Sequence, residues 1–299
     1  MANERKTHID QFGAAMLLLT SALFGVNQAL VKLVNSGMDP VFQAGLRSLC
    51  AIFPLLLFAI WRGKKLGFKE GTLIPGILCG IFFAAEFWLL FNALEYTTVS
   101  RSAVLFYTMP VWVSFAAHWL IPGEVLTPKR LAGLLLAVAG VAIALLRNEA
   151  PATDQAFIGD LMALTGSFCW AGIALTARLS NFSKTSPEMQ MIYQLIVSAP
   201  ILLGLAFLGT LSGGELFREM TPALWGIFAF QVLVVVAFGF ALWFWVLSIY
   251  PSSNMASFAF LTPLFSVFFG WLFFNEQLTV TLVVALTLVG AGIYLVNRK

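Results

Sequence analysis

Two ionisable side chains stand inside otherwise apolar runs of this chain: Arg47 within PVFQAGLRSLCAIFPLLLFAIW (40–61) and Glu86 within TLIPGILCGIFFAAEFWLLFNAL (72–94). A charge within hydrocarbon costs about 2.5–3.5 kcal/mol on insertion scales, so such residues are functional candidates by default. Arg47 lies about two helical turns from the start of its segment and Glu86 about two from the end of its own, counted along the helix rise, which puts both near the extracytoplasmic side of consecutive spans. Their depths permit a buried ion pair, which keeps both groups charged with no net charge. Two uses stay open. The pair fixes the packing of two helices, or Glu86 faces a cavity as a carboxylate that meets an amino group or takes a proton.

Uncharged polar residues add to this set. Asn27, Gln28, Gln43, Asn92, Gln190, Gln194 and Gln231 lie within or near apolar segments, where most side chains of this kind hydrogen-bond between helices. The aromatic residues divide by depth. Trp61, Trp119, Trp225 and Trp271 fall near segment ends, as an interfacial belt requires. Tyr107, Trp112, Trp170, Trp243 and Phe260 lie deeper, where they either pack against neighbours or line a cavity suited to planar or apolar groups. Pro110 and Pro263 each remove a helix hydrogen bond in the middle of an apolar run, which marks them as kinks or hinges.

The elements that must position these residues follow from composition. Hydrophobic residues make up 60% of the 299, charged residues only 10%, and the mean hydropathy is +0.90. A soluble protein of this size must keep a largely polar surface, so the solvent for most of this chain is lipid. A span needs roughly 20 residues to cross the hydrocarbon core, and the length accommodates about ten. Apolar runs place them near 11–33, 40–61, 72–94, 99–121 and 128–147, then 156–178, 187–209, 222–247, 252–274 and 278–297. Helix-entry pairs such as Asp39-Pro40, Thr127-Pro128, Ser186-Pro187 and Thr221-Pro222 open several of them.

Lys and Arg gather at the N-terminus, at 62–69, at 129–130, at 178–184 and at the C-terminus. The opposite side holds Lys32, Arg101, Arg147 and Arg218. The positive-inside rule then places both termini in the cytoplasm.

The chain also repeats itself. SRSAVLFYTMPVWVSFAAHWLIPGEVLT (100–127) and SNMASFAFLTPLFSVFFGWLFFNEQLT (253–279) share the proline, Glu124 matches Glu276, and Gly140 matches Gly292. At the start of each half, SALFGVNQALVKL (21–33) corresponds to SFCWAGIALTARL (167–179), with Phe24 opposite Trp170 and Lys32 opposite Arg178. In the second half Gln194 and Gly239 stand where the first has Arg47 and Glu86. The repeats are residues 1–147 and 156–299, joined by 148–155. Each holds an odd number of spans, so the second crosses the membrane in the opposite sense. Inverted repeats are a recurring plan of secondary transporters, with substrate held near the midplane between the halves.

These features resemble the EamA type of the drug/metabolite transporter superfamily, in particular its ten-span amino-acid exporters. The resemblance implies an all-α integral membrane protein of two inverted five-helix repeats around a central cavity. Spans 1, 3, 4, 6, 8 and 9 line that cavity, and spans 5 and 10 support it. The substrate-cavity candidates are then Asn27, Glu86, Tyr107, Trp170, Gln231, Trp243 and Phe260, with Pro110 and Pro263 as hinges. The expected setting is a bacterial-type inner membrane, and the expected function is export of small metabolites by alternating access, with aromatic amino acids favoured. A lipophilic or cationic drug, with Glu86 as counter-charge, is the alternative.

Glu124 and Glu276 sit beside the following helix starts, where local hydrogen bonds account for them. The glycine patterns Gly76/Gly80 and Gly133/Gly140 read as close helix packing. Other classes find little support. The chain lacks HExxH, CxxC, Walker A and GxSxG motifs, which argues against a membrane enzyme. Two histidines, His8 and His118, do not suggest a metal site, and no cofactor is called for. Cys50, Cys79 and Cys169 all lie in apolar stretches, so no disulfide framework is expected. The net charge of +3 without a basic stripe argues against nucleic acid. No ATPase module is present, so the expected partners are a small molecule and the bilayer, and a monomer is the working expectation.

Overall fold

A computed structural model describes residues 10–64, 67, 71–121, 126–146, 155–250 and 261–297. Their regular structure is helical apart from an isolated bridge between Met38 and Phe217. Helices α1 (Gln11–Asn35), α2 (Pro40–Trp61), α3 (Leu73–Tyr96), α4 (Val99–Phe106), α5 (Met109–Leu120) and α6 (Pro128–Leu146) form the first repeat. The second comprises α7 (Ala156–Leu179), α8 (Pro187–Thr210), α9 (Pro222–Phe230), a π-helical segment (Gln231–Phe238), α10 (Gly239–Ile249), α11 (Leu261–Phe274) and α12 (Val280–Asn297). Among the described residues, eight helices are long and apolar enough to cross a membrane, with α4–α5 and α9–π–α10 each counted as one; two shorter apolar helices follow. This is the ten-span, all-α integral membrane architecture of two inverted five-helix repeats.

The helix starts are made as their sequence demands. An aligned helix leaves its first N–H groups unpaired, and a preceding Asp, Ser or Thr satisfies them. Asp39 accepts from the N–H groups of Val41 and Phe42 at 3.0 and 2.8 Å, with Pro40 at the first turn. Thr127, Ser186 and Thr221 each accept from the N–H three residues on.

Close packing follows the small residues. A Cβ on Gly133 would meet the Gly292 carbonyl at 2.8 Å, and one on Gly292 would meet that of Gly133 at 2.6 Å. The two glycines thus let α6 and α12 touch backbone to backbone, the small-residue packing expected where lipid supplies no hydrophobic drive. Gly76 likewise seats the ring of Tyr193, so that α3 lies against α8. The remaining contacts centre on α3, which packs along α7 and α8, while α2 packs on α8 and α1 on α11.

The fourth span departs from the expected kinked helix. It ends at Phe106 and starts again at Met109, with Pro110 in the first turn of α5. A proline there removes only an N–H that had no partner inside the helix. Pro110 therefore begins a helix rather than kinking one. Pro263 sits buried in the first turn of α11, and the preceding residues, Phe260 among them, lie outside the described ones.

Candidate functional site

Arg47 on α2 and Glu86 on α3 are each only 4% exposed. Their charges act on one another. The expected contact pair is nevertheless absent: no ion pair within 4 Å joins them. Three phenylalanines explain why. Phe83, Phe87 and Phe91 follow one another at i, i+4 spacing on one face of α3. The Arg47 guanidinium lies over the rings of Phe87 and Phe91, at 4.4 and 4.6 Å from their centroids. Rings attract the flat face of a guanidinium, more strongly where water is excluded. Glu86 is turned by one residue, about 100° around the helix, away from that stack, and its charge acts on Tyr107 and Cys169.

The aromatic surroundings come from α4, α7 and the α4–α5 junction. Phe106 and Trp170 stack at 5.1 Å with planes 20° apart, and the Tyr107 ring meets both edge-on. The Tyr107 hydroxyl donates to the Phe24 carbonyl of α1 at 3.5 Å. Breaking the helix at Tyr107 brings this residue between α1 and α7. Glu86, Tyr107 and Trp170 are thus gathered in one neighbourhood, with Arg47 on its border.

The remaining expected residues sit elsewhere. Trp243 is half-buried and packs on apolar clusters that include Phe244 and Tyr250, toward the end of the bundle that carries the N-terminus. Asn27 is half-buried, and its side-chain oxygen has no hydrogen-bond partner among the described residues. Gln231 is fully buried at the first position of the π segment, and neither its amide nitrogen nor its oxygen has a partner among the described residues. Gln28 on α1, 2% exposed, shows the same double orphan. A buried amide group left unpaired costs about 1–3 kcal/mol, and π segments recur at functional positions.

Several features were not foreseen. Arg101, expected at the mouth of a loop, is 7% exposed on α4 and pairs with fully buried Asp160 on α7. Its Nε donates to both Asp160 oxygens at 3.2 and 3.1 Å, its terminal nitrogen donates to the same carboxylate, and Thr97 adds a 2.6 Å bond. Glu276 does not serve the helix that follows it. It accepts from the N–H groups of Val99 and Ser100 at 2.7 and 2.9 Å and from the Ser100 hydroxyl at 2.5 Å, capping α4 from 177 residues away. Thr279 caps α12 instead, and Glu124 lies outside the described residues. Nearby, Lys32 donates to the Thr97 carbonyl at 2.6 Å, and Arg218 pairs with Glu95 at 3.1 Å. The sequence held one signal for the first of these: Asp160 is an acid set one turn inside an apolar run.

Two successive stretches, residues 11–146 and 157–298, match the EamA-like transporter family. The chain belongs to that family. The uncharacterized transporter YoaV of Bacillus subtilis is 24% identical over 93% of this chain and 94% of its own length. A probable amino-acid metabolite efflux pump of Escherichia coli is 25% identical over 94% of this chain and 93% of its own. A solved crystal structure superposes with a TM-score of 0.67, covering 95% of this chain and 97% of the other at 17% identity, a likeness of fold. As an EamA-like transporter the protein moves a small molecule across a bilayer.

Proposed function

We propose that this EamA-like transporter exports small metabolites by alternating access, with amino acids as substrates and aromatic ones favoured. The reading rests on one observation above others: Glu86, a buried carboxylate without a hydrogen bond among the described residues, near Tyr107 and the Phe106–Trp170 stack. A carboxylate meets an amino group, and stacked rings meet an apolar or planar side chain. The likeness to a probable amino-acid metabolite efflux pump supports the same substrate class. The basic loops support both termini in the cytoplasm and the bacterial inner membrane as the setting.

The break between α4 and α5 serves as the hinge of the first repeat, with Pro110 fixing where α5 begins. Pro263 holds the corresponding place in the second repeat. With no nucleotide-binding motif in the chain, transport is driven by gradients. Purified protein in liposomes, assayed with a labelled amino-acid panel, tests the proposal. Uptake above empty liposomes for at least one aromatic amino acid is expected. Movement of a lipophilic cationic dye without any amino acid overturns it in favour of drug export.

A further inference from the structure

The two interior charges have a property that a packing pair lacks. The Arg47 guanidinium lies over the rings of Phe87 and Phe91, and its five N–H donors find no acceptor among the described residues. Glu86 accepts no hydrogen bond among them either. Both side chains still differ from the enclosed amides of Gln28 and Gln231: their charged atoms are not among those sealed from all access. A basic and an acidic group, buried near each other yet not in contact, carry an uncompensated desolvation cost whenever either is charged.

Resting on the export reading, we infer that Arg47 and Glu86 are the two ends of a receptor for a zwitterion. The α-carboxylate of the substrate lies in the guanidinium fork, the α-ammonium on the Glu86 carboxylate, and the side chain turns toward Tyr107 and Trp170. An Arg fork matches a carboxylate through two parallel hydrogen bonds. A zwitterion restores neutrality at both ends at once. An amine lacking the carboxylate leaves Arg47 uncompensated, and an acid lacking the ammonium leaves Glu86 uncompensated. Each is rejected by its missing half, because an unpaired buried charge is the costly state. The phenylalanine stack holds the guanidinium from one side and keeps it from collapsing onto Glu86. Specificity thus comes from the separation of the charges, and Arg47 excludes the lipophilic cations that Glu86 alone would welcome.

Competition for labelled tryptophan uptake in proteoliposomes tests this with the unaltered protein. The competitors are tryptophan, tryptamine and indole-3-propionate, with leucine and phenylalanine extending the panel. Tryptamine and indole-3-propionate are expected to compete at least about 30-fold more weakly than tryptophan, the scale of an unpaired buried charge. Arg47→Gln should narrow the gap to tryptamine alone, and Glu86→Gln the gap to indole-3-propionate alone. Tryptamine competing as well as tryptophan overturns the inference and leaves export standing. Both variants weakening all competitors by one common factor also overturns it, since that is what lost packing does. Absence of movement for every amino acid overturns the export reading together with this one.

Discussion

The interior holds two arginine–carboxylate combinations, and they are built oppositely. Arg101 and Asp160 are in contact, with three arginine donor contacts and a threonine hydroxyl closing the network. Arg47 and Glu86 share a neighbourhood but no contact, and an aromatic stack occupies the guanidinium instead. The same residue types thus serve two ends. A satisfied pair fixes α4 on α7, because breaking it strands a charge in a dry environment. An unsatisfied one keeps its hydrogen-bonding capacity for something else. Burial and charge alone do not separate a strut from a receptor; what separates them is whether the donors and acceptors are spent.

The contrast is broken most sharply at the strut. Asp160→Ala strands Arg101 and should destabilise the protein by about 3–5 kcal/mol, read as a fall in the thermal unfolding midpoint in detergent. The double replacement Arg101→Met with Asp160→Leu should recover most of that loss, since apolar residues of similar volume often equal a buried ion pair. Glu86→Gln should show the reverse profile. Its carboxylate makes no contact pair, so stability should stay within about 1 kcal/mol, while amino-acid transport falls at least about 30-fold. A Glu86 variant that unfolds as readily as Asp160→Ala, at unchanged specific transport, makes both pairs struts.

A smaller effect is expected at Glu276, which ties the two repeats together. Glu276→Ala removes the acceptor for two backbone N–H groups and a hydroxyl at the start of α4. Loss of a cap of this kind costs about 0.5–2 kcal/mol. Amide exchange at Val99 and Ser100 should quicken, while exchange near Thr279 stays unchanged, because Thr279 and not Glu276 caps α12.

What the letters revealed and what they hid divide along sequence distance. The spans, the capped starts at Asp39, Thr127, Ser186 and Thr221, and close packing at Gly76 and Gly133 are local or periodic, and each was legible; that Gly133 meets Gly292 across α6 and α12 was not. The Arg47 and Glu86 candidates were legible too, because a charge in an apolar run stands out. Their failure to pair was not, since it depends on how Phe87 and Phe91 face α2. Arg101 was hidden by standing near a span boundary, where a basic residue ordinarily meets water. Glu276 was hidden because its partners are 177 positions away. The break after Phe106 was displaced from the proline that announced it, since a proline is tolerated best in a first turn.

The π segment was hidden for another reason: after its opening glutamine QVLVVVAF is apolar, and a run without further polar punctuation does not reveal which helix it forms. Within it, Gln231 offers the mildest test of the contrast between spent and unspent polar groups. Its two amide atoms are sealed and unpartnered, so they destabilise the protein as it stands. Gln231→Met keeps the length of the side chain and removes the desolvated groups, which should stabilise by about 1 kcal/mol, the low end for an unsatisfied buried group. If the amide is held in reserve for a transport step, the same variant should lose transport while gaining stability. In the zwitterion proposal Arg47 and Glu86 meet the substrate directly, whereas Gln231 would meet it only as the eighth span moves. A Gln231→Met protein that is both more stable and fully active shows that the orphaned amide serves no transport step, and confines the receptor to Arg47, Glu86 and their aromatic neighbours.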